Sequence, residues 1–559
     1  MFFAFLAAVA GVVSAGALLA VAEAVALLTG RDGGPLLAVG SFVIDIVPRW
    51  AKEFAIETFG ENDKLFLLLS LGVAVVIAAA IAGLLQLVRP PLGLVLVALA
   101  GALAVAAVVT RASAGPLAAV PTVVGTLVAL VLLHLLAARL RGWRAGVAAL
   151  SGVTDAHPAP NRRDAVTPVP NRAGAGTAAQ VSGDGAVGPA GDASGTPTSA
   201  REPALDRRRF LGLAVIAAVG SAVVGTGARI VSAATSSIDG IRAALKLPAA
   251  RSTVAVPQGA ELTIDGLSPL YTPNADFYRV DTALTVPELD PGTWSLKVTG
   301  MVDNEFTLSF QDLLDLGLDE YSITLTCVSN EVGGSLLGTA KWLGVPVRTV
   351  LQRAGVQSGA DMVLSTSSDG FTASTPLSSL TDENLDAILA VAMNGEPLPF
   401  EHGFPVRMVV PGLYGYVSAT KWLTELKVTT FADDEAYWTP RGYSEKAPIK
   451  LSSRIDTPRV DTPVPAGATK IAGVAWAQPV GIEKVEVSID DADWIPATLS
   501  TAVNDETWVQ WYVDWEATSG VHYVTVRATD KRGKLQVEER APIAPDGSTG
   551  WQRSLVTVT

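Results

Sequence analysis

The chain has 559 residues, 49% of them hydrophobic and 17% charged, with 54 acidic against 41 basic side chains. A net charge of −13, with no basic patch interleaved with aromatics, excludes nucleic acid as a partner. A single cysteine excludes an intrachain disulfide, and the absence of any fixed internal period excludes a repeat array.

Residues 1–140 are almost entirely Ala, Val, Leu and Gly, and they predict a four-helix transmembrane region. The stretches Phe2–Leu28, Leu65–Val88, Leu92–Thr110 and Leu117–Ala138 each reach the length of a bilayer span. Between the first two, a segment from about Leu36 to Phe59 carries Asp45, Arg49, Lys52, Glu53 and Glu57. It is too polar to cross and is expected to lie on the membrane surface. Arginines then concentrate from Arg139 to Arg209, which marks that region as cytoplasmic and, after four crossings, places the N-terminus inside as well.

Residues 141–206 read as a disordered cytoplasmic linker, because the Ala, Gly, Pro, Ser and Thr between Gly146 and Pro203 bury too little to offset ordering. Residues 207–234 open on Arg207-Arg208-Arg209-Phe210-Leu211 and continue as a fifth apolar stretch, Phe210–Ala234. This pattern resembles a twin-arginine translocation signal, the alternative being ordinary flanking charge of a fifth transmembrane helix. A fifth crossing puts everything after Ala234 outside, giving a multi-pass cell-membrane protein with an extracytoplasmic domain. The twin-arginine route carries folded domains, so it predicts a cofactor inserted before export.

The soluble region begins with short strands. In Ser322–Thr326, Ile323 and Leu325 alternate with Thr324 and Thr326, which predicts a strand ending at Cys327. Ser329, Asn330, Gly333 and Gly334 predict a loop after it. A thiol there suits a soft metal, and the alternative is a small buried core residue. Further on, Arg407 interrupts the apolar run Phe404, Val406, Met408, Val409 and Val410 and needs a buried partner. Asp369 before Gly370 reads as a site acid or as a turn acid.

An ordered series of segments resembles the molybdopterin domain of the sulfite oxidase family. It runs through Tyr271-Thr-Pro-Asn-Ala-Asp-Phe-Tyr-Arg-Val-Asp281, Trp294–Gly300, Leu308–Leu314 and Thr324-Leu-Thr-Cys327. Trp342–Val345, Ser368–Phe371, Asn394–Leu398, His402–Gly412 and Lys421-Trp-Leu423 complete it. The resemblance implies an α+β molybdopterin-binding oxidoreductase domain at 255–435. It implies a molybdenum cofactor whose sulfur ligation is completed by Cys327, the expected catalytic and metal-ligating residue. It also implies pterin phosphate and ring contacts from His402, Arg407 and Lys421, with Ala419 and Thr420 contributing through backbone and Asp369 as the pterin-contacting acid.

Two departures bear on the substrate. The family's arginines after the ligand cysteine are Asn330, Glu331 and Val332 here, and an acid facing the metal repels sulfite. The family's Arg-Asn-His near the domain start falls on Asp281, Thr282 and Ala283, leaving Tyr278 and Arg279 to serve the pterin. A small neutral or organic substrate such as a sulfoxide is therefore expected, with sulfite dehydrogenation as the alternative and a cofactor-free scaffold as the alternative of another class.

The membrane region holds only His134 of the chain's four histidines, so no haem is expected in this chain and a separate partner must carry electrons. From 439 to 559, alternating strands such as Val485–Ile489 and Val521–Arg527 predict an all-β sandwich. It resembles the family's immunoglobulin-like dimerisation domain through Ser453–Pro458, Ala475-Trp476 and Val526–Asp530, which leaves a homodimer open. The expected partners are thus a small-molecule substrate, an electron carrier and membrane lipid.

Overall fold

The structure is a computed structural model that describes residues 1–29, 39–40, 63–110, 117–153, 202–235 and 238–559. The expected surface segment at 36–59 lies almost wholly outside the described residues, as does most of the expected linker. The chain divides into a helical unit within residues 1–232 and a second unit built chiefly from Ala233–Thr559.

The first unit contains α1 (Phe2–Thr29), α2 (Asp63–Val88), α3 (Leu92–Val109), α4 (Val120–Val153) and α5 (Glu202–Thr235). Among the described residues, four helices, α1 to α4, are long and apolar enough to cross a membrane. The expected fifth span falls in α5, where side chains from 224 onward lie outside the described set. In lipid, apolar side chains gain little by meeting one another, so close approach of small residues drives helix association. Gly11 of α1 and Gly83 of α2 supply it. A Cβ on Gly11 would lie 1.9 Å from the Ala79 carbonyl oxygen, and one on Gly83 1.9 Å from that of Ala7.

Helix α4 continues to Val153, beyond residue 140 where the sequence pattern ends the membrane region. The reason is Trp143, whose ring meets Phe2, Phe3 and Phe210 at 5.7, 5.3 and 6.3 Å. Arg207 lies 5.7 Å from the same ring, and Arg139 pairs with Asp206 at 3.6 Å. The edges expected of the linker are therefore helical.

In the second unit a short helix, α6 (Ile238–Ala244), precedes the sheets. Ten strands follow: β1 (Ser295–Gly300), β2 (Phe306–Ser309), β3 (Asp319–Thr326), β4 (Leu337–Pro346), β5 (Met362–Ser367), β6 (Thr372–Pro376), β7 (Ile388–Met393), β8 (Glu396–Pro397), β9 (Arg407–Val409) and β10 (Leu423–Thr429). One sheet has the order β2-β1-β10-β5-β6; the other runs β3-β4-β7-β8, with β9 also on β7. β1 and β10 pair in parallel, with Lys297 opposite Glu425, so the two ends of this region lie side by side.

Leu296, Val298, Leu426 and Val428 of the first sheet share a core with Val345, Leu389, Val391 and Met408 of the second. The opposite face of the second sheet is buried too, by Phe277, Trp342, Phe404 and their neighbours. Burial on both faces explains why β3 is closed at its threonines as well as at Ile323 and Leu325.

The C-terminal strands are β11 (Ser452–Thr457), β12 (Gly467–Trp476), β13 (Ile482–Ile489), β14 (Ile495–Pro496), β15 (Thr498–Leu499), β16 (Val509–Ala517), β17 (Gly520–Asp530) and β18 (Gln552–Val558). They form two antiparallel sheets, β11-β12-β16-β15 and β14-β13-β17-β18. Ile471 and Val513 from one meet Val485, Val524 and Val526 from the other in a common core. This β-rich region packs directly on β3. The Trp508 amide donates to Thr324 Oγ1 at 2.9 Å, and its indole donates to the Leu270 carbonyl at 3.0 Å.

Beside Trp508, Glu506 accepts the Asp386 amide at 3.0 Å and is itself buried. Burial, and then the Asp386 charge, pushes Glu506 up to about 8. Burial also pushes Asp386 up, against the pull of Arg348. The folded protein thus keeps a proton that the unfolded chain releases near the ordinary carboxylate value of about 4.3. Stability from this proton is full below that value and is lost as pH rises through about 8. Thermal midpoints at about pH 5 and about pH 9 should therefore differ less in Glu506→Gln than in wild type. An unchanged difference would assign the pH dependence elsewhere.

Candidate functional site

β3 delivers Cys327 to the wall of a cleft that it shares with Tyr278, His402, Arg407 and Lys421. The thiol is fixed by its own backbone and loop. Its amide donates to the Leu336 carbonyl at 2.9 Å, and the Ser329 amide points at Sγ from 3.4 Å. Burial raises the thiol above its ordinary value, with the Ser329 contact opposing. An isolated Cys327 is therefore protonated at neutral pH, and ligation must displace that proton.

The loop after Cys327 turns outward. Asn330 is buried and its Oδ1 accepts the Leu336 amide at 2.9 Å, while Glu331 is exposed and absent from the cleft wall. The expectation that Glu331 faces the metal is thus overturned, because the Asn330 turn carries the acid away. Two residues of the β-rich region brace this loop: Arg454 donates to the Gly334 carbonyl at 3.0 Å and Ser548 to that of Asn330 at 2.8 Å.

Across the cleft, the short turn Phe400–His402 positions the cations. The left-handed Gly403 (φ 109°) ends it, since a Cβ there would meet Arg407 Cβ at 3.0 Å and Lys421 Cα at 3.1 Å. Arg407 Nη1 donates to the His402 carbonyl at 3.1 Å, and its guanidinium lies 5.2 Å from the Trp342 ring. It is 5% exposed, and no carboxylate among the described residues pairs with it. Burial depresses its pKa to about 10, which leaves it charged at neutral pH.

Lys421 Nζ donates to Asp281 Oδ2 at 2.8 Å and to the Glu401 carbonyl at 2.9 Å. Burial lowers Lys421 to about 8 in spite of Asp281. The next residue, Trp422, holds a left-handed backbone (φ 50°) and donates its indole to the Phe400 carbonyl at 2.8 Å. Strain of this kind persists only where packing fixes it, and it collects at functional sites. His402 is driven down to about 4 by burial and then by Arg407, so its ring is neutral. Its Nε2 lies 3.2 Å from the Asn274 carbonyl, which makes that nitrogen the donor.

The cleft brings together Cys327, Tyr278, Asp369, His402, Arg407, Ala419 and Lys421. Tyr278 stacks on Phe277 at 5.3 Å, and burial raises its hydroxyl so that it stays protonated. Two expected residues are not brought in. Arg279 lies outside the wall and bonds Asp281 at 2.9 Å, so it reaches the cleft only through that acid. Thr420 bonds Ser365 Oγ at 2.7 Å, and its carbonyl is taken by the Met408 amide, because it faces the sheet core.

The sequence reading missed Asp281 as the counter-charge of Lys421, and it missed an aromatic side of the cleft. Phe371, Tyr416, Trp438 and Tyr443 line that side. Trp438 and Tyr443 meet at 5.2 Å, and Tyr416 and Tyr443 at 5.5 Å. The cluster Tyr437, Trp438 and Tyr443 inside a Pro- and Gly-bearing loop was its only sequence signal.

Residues 283–438 match the family described as oxidoreductase molybdopterin binding domain. The chain is 31% identical over 300 residues to mitochondrial sulfite oxidase of Rattus norvegicus, covering 46% of this chain and 54% of that protein. It thus spans about half the length of that relative. To the uncharacterized oxidoreductase YuiH of Bacillus subtilis it is 37% identical over 154 residues, covering 28% of this chain and 74% of that one. Among solved structures, sulfane dehydrogenase SoxCD of Paracoccus pantotrophus aligns at 22% identity and TM-score 0.47, covering 55% of this chain and 88% of that one.

A buried, unbalanced cation costs stability that an apolar residue of similar volume does not. Arg407→Met should raise the thermal midpoint of the ligand-free protein, equivalent to about 1 kcal/mol or more. A lowered midpoint would instead make Arg407 part of the structural core.

Proposed function

Because the chain belongs to the sulfite oxidase family of molybdopterin-dependent oxidoreductases, we propose that it is a membrane-anchored, outward-facing enzyme acting on a small molecule. When bound, the molybdenum cofactor supplies oxygen-atom exchange coupled to the movement of two electrons. The observation that carries the reading is the meeting of Cys327 and the carboxylate-free guanidinium of Arg407 in one cleft.

The donor set fits the cofactor. Cys327 is a soft ligand for molybdenum, and coordination holds it as thiolate against the burial that otherwise keeps it protonated. Arg407 and Lys421 would take the pterin phosphate through charge-assisted hydrogen bonds. His402, neutral and oriented by Asn274, would face the pterin with Tyr278 and Asp369. Trp438, Tyr443 and Tyr416 then exclude water from one side and shape the substrate's path.

The substrate class proposed is a neutral organic molecule such as a sulfoxide, because Asn330, Glu331 and Val332 stand where the family's anion-holding arginines would be, with electrons exchanged through a separate partner. Sulfite is the second reading. It is favoured by the exposed Glu331, which leaves no acid of that loop to repel the dianion. Steady-state rates with sulfite and with methionine sulfoxide separate the two. The C-terminal sandwich is proposed to be immunoglobulin-like and to support a homodimer, and α1 to α4 to hold the protein in lipid.

Purified protein from a cofactor-competent host should contain about one molybdenum and one pterin per chain. Cys327→Ser should remove activity while keeping the fold; molybdenum far below one per chain would leave a binding or scaffolding protein. The export half of the reading rests on Arg207 and Arg208. Changing both to Lys should strand the catalytic domain in the cytoplasm, as protease accessibility in spheroplasts would report, and normal export would refute it.

A further inference from the structure

Helix α6, the first element after α5, is tied to the turn that holds the cleft's cations. Arg242 Nε donates to the Leu398 carbonyl and Nη2 to the Pro397 carbonyl, both at 2.8 Å. Glu396 Oε2 lies 3.3 Å from the same Nη2. One guanidinium therefore grips three consecutive residues, 396–398. Leu245, just past the helix, packs against both hydrophobic clusters that flank the second sheet.

The gripped residues run through Pro399 into the turn Phe400–His402. There, three carbonyls in succession accept bonds from cleft residues: Phe400 from Trp422, Glu401 from Lys421 and His402 from Arg407. A shift of this turn moves all three acceptors at once. From one side the β7–β8 hairpin holds it, with Met393 opposite Glu396 and Ala392 opposite Pro397. From the other side Arg242 supplies the donors that the carbonyls of 397 and 398 would otherwise lack.

We propose that Arg242 is a positioning residue that, through the carbonyls of Pro397 and Leu398, sets the hold of the 400–402 turn on Arg407 and Lys421. This rests on the cofactor reading above. Arg242 touches neither substrate nor cofactor; it acts through backbone carbonyls, and its geometry suits a planar guanidinium better than an ammonium.

The test uses the full-length chain in detergent and compares wild type, Arg242→Ala and Arg242→Lys. Amide hydrogen exchange of residues 400–403 should quicken about tenfold in Arg242→Ala, the equivalent of one charge-assisted hydrogen bond. Molybdenum loss on dialysis should quicken with it, and Arg242→Lys should recover part of both. Exchange in β12 and β16 should stay at the wild-type rate, which separates a loosened turn from a misfolded protein. Unchanged exchange at 400–403, or faster exchange with unchanged molybdenum loss, overturns the proposal. A wild-type protein without molybdenum overturns the cofactor reading instead, and the exchange comparison then decides whether Arg242 holds the turn.

Discussion

A guanidinium held in the protein interior without a counter-charge is the constraint on which the site is built. Taking an ion out of water costs several kcal/mol, and neutral partners recover only part of that. Arg407 has carbonyls and an indole face where a carboxylate would be expected. Burial, and then the field of Arg407, keeps His402 neutral. Lys421 is a different kind of cation, because Asp281 balances it and Arg279 backs Asp281 in turn. The cleft therefore contains one compensated positive charge and one in need of an anion, which is the electrostatic profile of a phosphate seat.

Holding that profile requires rigid surroundings, and the fold supplies them from both sides. Cys327 is placed by a strand whose two faces are both covered, and its loop is tied by Arg454 and Ser548 of the β-rich region. The cations are placed by the 400–402 turn and by the strained Trp422 backbone. Cys327 and Arg407 thus come from β3 and β9 of one sheet, while Lys421 enters just before β10 of the other, and the fold brings residues with no sequence proximity to one cleft.

Much of this was legible in the residues, and the failures have physical reasons. Uniform apolar stretches marked the four helices long and apolar enough to cross a membrane, three of them within two residues at each end, while the fourth runs on past Ala138. Arg407 stood out because a charge inside an apolar run needs a partner. Arg279 was misplaced because adjacency in sequence does not say which way a side chain turns, and the Thr420 carbonyl, expected to serve the site through the backbone, accepts the Met408 amide instead. Glu331 misled for the same reason, its direction being set by the Asn330 side chain closing the loop. Asp281 went unrecognised because its partner, Lys421, lies 140 positions away. Trp438 and Tyr443, on the aromatic side of the cleft, came from a loop bearing Pro440 and Gly442, and Phe371 and Tyr416 join them from distant segments.

The packing of Trp508 on β3 also governs when the site can exist. The strand that ends at Cys327 receives a hydrogen bond from an amide 184 residues later, and β1 waits for β10 before its parallel edge is filled. Contacts of such separation must close large loops before they repay the lost chain entropy. During synthesis the thiol thus emerges long before its surroundings do. The cleft takes its final form only after Arg454, Trp508 and Ser548 of the β-rich region have been made, so cofactor capture follows synthesis of that region.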